Sequence, residues 1–176
     1  KKNLKLNVFA FEVYTPTYFL INQNIKLNGF KNITPINSGL LDKGKVSKLI
    51  INDQRPAGSG NQLIEDTDDL YDNVLTFSLD DFINMYDIST PINIKIDIDG
   101  LEKEVIEGVK LNLKEKKIES LLIEIDYDNN AEEIINYLFD LDYVEDKRFK
   151  KLDNHSDLRR KKQNSTISNK IFIPKN

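Results

Sequence analysis

The sequence predicts an α/β fold built on a doubly wound, mostly parallel sheet. Three observations lead there. Strand-like and helix-like segments alternate almost from end to end, which is the pattern of strand–helix–strand units with right-handed crossovers. The stretch 93–102 (Asn-Ile-Lys-Ile-Asp-Ile-Asp-Gly-Leu-Glu) passes from a β-branched, apolar strand straight into a turn and a helix. Finally, Glu12, Asn37, Ser38, Asp97 and Glu124 all fall at predicted strand exits, the end at which open α/β sheets keep their binding crevice.

Composition sets the outer limits. With 176 residues, 39% hydrophobic and 31% charged, the chain has enough apolar surface for one real core, so a single domain over 1–176 is the expectation. The net charge of -4 hides a segregation: no Lys or Arg lies between Arg55 and Lys95, and eight acids fall in that gap. Towards the end the sign reverses, with Arg148, Lys150, Lys151 and the run Arg159–Lys162. This balance argues against nucleic acid as a partner. The absence of cysteine excludes disulfides and thiolate chemistry and suits a reducing, cytoplasmic setting. No apolar run approaches the roughly 20 residues needed to cross a bilayer, so no membrane partner is expected.

Each element has a local reason. Leu6–Phe11 reads as a short strand closed by Glu12; the abrupt opening on a strand suggests that more chain lies upstream. Thr15-Pro16 reads as an N-cap and first-turn pair. Tyr18, Ile21 and Ile25 recur at helical spacing, and Asn28-Gly29 ends the helix. Lys31–Ile36 is a second strand running into the permissive corner Asn37-Ser38-Gly39, and Val46–Ile51 is a further β-rich run. Arg55–Gln62 is a loop whose glycines match no phosphate-binding fingerprint. Ser78 opens a helix with Asp80 and Asp81 in its first turn.

In the central stretch, Ile94, Ile96 and Ile98 form the apolar face of a buried strand, while Lys95, Asp97 and Asp99 share the other. The plain reading is a strand–turn–helix corner with a structural ion pair. Leu101, Val105, Val109 and Leu113 then repeat every fourth residue, predicting one amphipathic helix. Ser120–Asp126 is another buried strand. Asn129 or Asn130 caps a helix with Ala131, Ile134, Ile135 and Leu138 inward, and Tyr143-Val144 and Lys170–Ile173 close the fold.

The ordered set resembles the FkbM family of S-adenosylmethionine-dependent methyltransferases. The matching pieces are VFAFEV (8–13), LINQNIKLNG (20–29), INSGLLDKG (36–44), FSLDDFI (77–83), IKIDIDGLEKEVIEGVKLNL (94–113), LLIEI (121–125), LFDLDYV (138–144) and NKIFIP (169–174). Together they span most of the chain, and their order and spacing are more specific than any single one.

The resemblance implies a Rossmann-like class I methyltransferase fold with an antiparallel C-terminal strand and with S-adenosyl-L-methionine as cofactor. It implies that Glu12 grips the ribose hydroxyls, since one carboxylate accepts two charge-assisted hydrogen bonds from a vicinal diol. It puts the corner Asn37, Ser38, Gly39 along the adenine, and Asp97 towards the methionine end and the acceptor. That acceptor would be a small molecule or glycan bearing a hydroxyl.

The chain also departs from the family. Nothing in it supplies the family's first strand and glycine-rich loop, so the expectation is an N-terminally incomplete domain in which the strands ending at Glu12 and Asp97 have open inner edges. The alternative is that those two strands pair directly and the domain holds no cofactor. Val13 stands where the family commonly has proline.

Candidate bases for a hydroxyl acceptor are Asp97, Asp99, Glu124 and His155, although the polar neighbours of His155 read as an exposed turn. Asp97 with Asp99 could instead hold a divalent cation, but Lys95 beside them favours an ion pair; metal dependence stays open. Two other classes remain: a metal-dependent nucleotide-sugar glycosyltransferase using Asp97 and Asp99, and a binding module that kept the fold without the glycine loop.

Overall fold

A computed structural model describes residues 6–56, 60–64, 67–98, 100–148 and 166–175. They form two compact units, 1–77 and 78–176, both of mixed α/β structure. His155, Asp99 and the basic residues Lys150, Lys151 and Arg159–Lys162 lie outside the described residues.

The first unit begins with β1 (Val8–Phe11), α1 (Thr15–Asn28) and β2 (Ile33–Ile36). β1 and β2 pair in parallel, Val8 opposite Ile33 and Phe11 opposite Ile36, so both strands deliver their exits to the same end. The N-cap of α1 is Tyr14 rather than Thr15, without a side-chain cap, and Pro16 sits in the first turn. Its stop is as expected. Gly29 adopts a left-handed φ of 63° and returns N–H bonds to the last turn, a conformation that costs glycine little. No residue of α1 is fully buried.

The rest of this unit is a second sheet of β3 (Gly39–Leu40), β4 (Lys45–Ile50), β5 (Gln62–Ile64) and β6 (Tyr71–Phe77), ordered β3-β6-β4-β5. β4 runs antiparallel to both β5 and β6, while β3 and β6 are parallel. Strands β5 and β6 escape the sequence reading because β5 is only three residues long and an acidic stretch, Glu65–Asp69, separates the two. They are strands through pairing with β4, and β-propensity is largely a response to such a neighbour.

The second unit holds α2 (Leu79–Met85), β7 (Ile92–Ile96), α3 (Glu102–Glu107), α4 (Lys110–Lys114), β8 (Ile118–Asp126), α5 (Ala131–Asp140), β9 (Tyr143–Glu145) and β10 (Ile167–Pro174). Its sheet is ordered β7-β8-β10-β9. β7 and β8 are parallel, and β10 is antiparallel to both β8 and β9. Most of the buried apolar residues lie here, with Ile96, Val109, Leu113, Leu121, Ile123 and Phe172 all almost wholly buried.

The described strands make three sheets, the parallel pair β1-β2 and two mixed four-stranded sheets. Two expectations change. β7 is an edge strand with Asn93 and Lys95 exposed, so its isoleucines face inward on one side only and the strand is not buried throughout. The helix expected over 101–113 is two short ones, α3 and α4, meeting at Gly108-Val109. The break has a distant cause. Asp80, in the first turn of α2, accepts from the main-chain N–H groups of Leu111 (2.8 Å) and Asn112 (3.1 Å) and from Asn112 Nδ2 (2.6 Å). It thereby satisfies the N-terminal donors of α4, and its own N–H donates to the Gly108 carbonyl at 2.8 Å.

Among the described residues β1 pairs with β2 and β7 ends its own sheet, and the direct pairing weighed as an alternative is in neither.

Candidate functional site

Parallel pairing makes the first cluster. Because Phe11 stands opposite Ile36, the next residues, Glu12 and Asn37, emerge side by side. The Glu12 N–H donates to the Ile36 carbonyl at 3.0 Å. Asn37 Nδ2 donates to the Glu12 carbonyl at 2.8 Å and to the Val13 carbonyl at 3.2 Å. The Glu12 carboxylate turns back towards the helix it precedes, where Oε1 accepts the Tyr14 N–H at 2.8 Å.

Electrostatics at Glu12 pull two ways. Burial disfavours the charged form and raises its pKa from the ordinary 4.5, while the N–H groups of Tyr14 and Val13 stabilise the charge and lower it. Burial wins. A carboxylate in this state is short of solvent and retains lone pairs beyond those its own backbone fills.

The other corner residues are engaged. Ser38 is buried, and its hydroxyl donates to the Leu75 carbonyl at 2.8 Å. Gly39 is buried too; a Cβ there would lie 3.1 Å from Val13 Cγ1, 3.1 Å from Thr76 Cγ2 and 2.9 Å from Leu63 Cδ1. The absence of a side chain therefore lets β3 approach the Val13 turn. Tyr14, which the sequence reading passed over, is 8% exposed, and its hydroxyl donates to the Gln54 carbonyl at 2.8 Å. That bond ties the β4–β5 connection to the Glu12 turn. Nothing in the local sequence signals it, because the partners are 40 residues apart.

In the second unit, Ile96 stands opposite Ile123, which sets Asp97 level with Glu124 along two parallel strands. Asp97 is exposed and ion-paired with Lys95, the pairing the sequence suggested. A cation at Asp97 would have to displace that ammonium. Among the described residues no group of three or more His, Cys, Asp or Glu could hold a metal ion. Glu124 is half-buried within β8, opposite Asn169 of β10. At the β8 exit it is Asp126 that organises the turn, accepting from Asp128 N at 3.1 Å, Asn129 Nδ2 at 2.7 Å and Thr166 Oγ1 at 2.8 Å. The predicted site residues thus gather as Glu12, Asn37, Ser38 and Gly39 in one unit, and Asp97 with Glu124 in the other.

No helix among the described residues is long and apolar enough to cross a membrane. Residues 7–145 match the family model described as the methyltransferase FkbM domain. Among solved structures, the chain is similar to the methyltransferase FkbM from Methylobacillus flagellatus KT, with a TM-score of 0.51 and 18% identity, over 79% of this chain and 32% of that one. At that identity the likeness concerns the fold, and this chain spans about a third of the other's length. No curated relative matches the chain.

Proposed function

The chain belongs to the FkbM methyltransferase-domain family, and on that premise we propose that it transfers a methyl group from S-adenosyl-L-methionine to a hydroxyl of a sugar, glycan or secondary metabolite. One observation carries the reading: the half-buried Glu12 carboxylate, held at the exit of two parallel strands with acceptor capacity to spare. A vicinal diol supplies two donors to such an acceptor, and charge-assisted bonds of this kind are strong. The residues present therefore fit the nucleoside part of the cofactor.

In this reading Glu12 holds the ribose, and the corner of Asn37, Ser38 and Gly39 flanks the adenine. Ser38 and Gly39 would act there through main-chain groups, since the Ser38 hydroxyl already serves Leu75. Asp97 belongs to the methionine end and the acceptor, with Asp97, Asp99 and Glu124 as the candidates for the base. The cofactor, when bound, supplies an electrophilic methyl on a sulfonium. What these residues contribute is alignment of acceptor and donor and, for a hydroxyl, removal of its proton. The doubly wound, Rossmann-like arrangement and a cytoplasmic location belong to the same proposal.

Calorimetry with S-adenosylhomocysteine tests it. The intact protein should bind with micromolar affinity, and Glu12→Ala should abolish binding. Silence from the intact protein would end the methyltransferase reading and leave the non-catalytic module.

A further inference from the structure

We propose that Asn37 is a positioning residue: its side-chain amide holds the main chain that carries Glu12 and so decides where the Glu12 carboxylate meets a ribose diol. The inference rests on the reading of Glu12 given above, and it assigns Asn37 a role different from adenine contact.

The argument follows the peptide units on either side of one Cα. On the amino side, the Glu12 N–H is anchored to the Ile36 carbonyl at 3.0 Å. On the carboxyl side, the Glu12 carbonyl is anchored to Asn37 Nδ2 at 2.8 Å, and the next carbonyl, Val13, shares that donor at 3.2 Å. Two consecutive residues of the β2 exit therefore hold both planes that flank Glu12. With both planes held, φ and ψ at Glu12 have little freedom, and the direction of its Cα–Cβ bond is set. The bond from Tyr14 N to Oε1 limits the remaining side-chain torsions.

The residue type fits the task. Asparagine presents an N–H donor about two bonds beyond its Cβ, long enough to cross to the neighbouring exit; aspartate has the same shape but no donor. Accuracy matters because a bidentate contact to a diol tolerates a misplacement of only about half an ångström. Without the Asn37 anchor, the carbonyls of Glu12 and Val13 turn to water and the carboxylate samples more than one position.

The test compares S-adenosylhomocysteine with its 2′-deoxyribose analogue, each titrated into the intact protein by calorimetry. The wild type should prefer the ribose form by about tenfold or more, the worth of a charge-assisted hydrogen bond. Asn37→Ala and Asn37→Asp should weaken the ribose form more than the deoxy analogue and so bring that preference towards unity. In a Glu12→Ala background, Asn37→Ala should change the preference no further.

Equal weakening of both ligands by the Asn37 variants would mark adenine contact or a general structural loss, and would overturn the inference; so would an unchanged preference. If the wild type binds neither ligand, the reading of Glu12 as a ribose acceptor fails, and the positioning role is then decided by NMR. Asn37→Asp must shift the Glu12 carboxyl resonance and speed exchange of the Tyr14 amide, and no change in either would overturn it.

Discussion

Oε1 of Glu12 accepts the main-chain N–H of Tyr14 at 2.8 Å, so the acid proposed to bind ribose also fastens the entry to α1. Its pH behaviour follows. Burial holds its carboxyl above the ordinary 4.5, so the folded protein binds this proton more tightly than the unfolded chain. The stability this contributes is complete below 4.5 and is lost as pH rises through the folded value. Glu12→Gln removes the dependence, so urea midpoints should show the variant gaining on the wild type as pH climbs past that window. Nucleoside binding runs the other way. It needs the carboxylate, and affinity for S-adenosylhomocysteine should rise over the same range.

Asp80 is expected to matter more for stability than its place in a short helix suggests. It is 8% exposed and receives three hydrogen bonds from Leu111 and Asn112. Asp80→Ala leaves those donors unanswered in the interior and should cost about 3 kcal/mol in urea unfolding. The isosteric Asp80→Asn, which keeps one acceptor, should cost about half of that.

Gly39→Ala probes the close approach at the corner proposed to flank the adenine. Leu63 can rotate away from the new methyl, but Val13 and Thr76, both 3.1 Å from it, are branched at Cβ and stiff. A loss of about 1–2 kcal/mol is expected, read from the shift of the unfolding midpoint.

Tyr143 is fully buried, and its hydroxyl donates to the Ile118 carbonyl at 2.9 Å. Burial pushes its phenol up to about 12. Spectrophotometric titration should find this tyrosine silent until strongly alkaline pH. Tyr143→Phe should cost about 1 kcal/mol, since the Ile118 carbonyl is left without its donor.

Lys95→Met tests the ion pair with Asp97. Both side chains are about half exposed, at 59% and 49%, so solvent screens the attraction and the change should move stability by less than about 1 kcal/mol. A larger loss in chemical denaturation would show that the pair holds the β7 exit in place.

What could be read from the sequence was what neighbours along the chain decide. Ser78 caps α2 as expected, accepting the Asp81 N–H at 3.0 Å. Ala131, Ile134 and Leu138 are the buried stripe of α5, and β7 alternates isoleucine inward with Asn93 and Lys95 outward. Capping and periodicity act over a few residues, so spacing alone reveals them. The Glu12–Asn37 corner was half legible: the exits of two strands were visible, but not that the Asn37 amide would serve the main chain of Glu12.

The remaining features depend on partners far away in sequence. β5 and β6 are strands because β4 pairs with them. The break between α3 and α4 follows from Asp80, some 31 residues before the N–H groups it receives. Asn37 reaches back 25 residues to Glu12, and Tyr14 reaches forward 40 to Gln54. A hydrogen-bonding side chain has the same composition whether it faces a ligand or a distant carbonyl. The sequence by itself therefore determined the alternating elements and the family they spell, whereas the tertiary structure decided which polar groups are left for chemistry, because only folding brings donor and acceptor within 3 Å of each other.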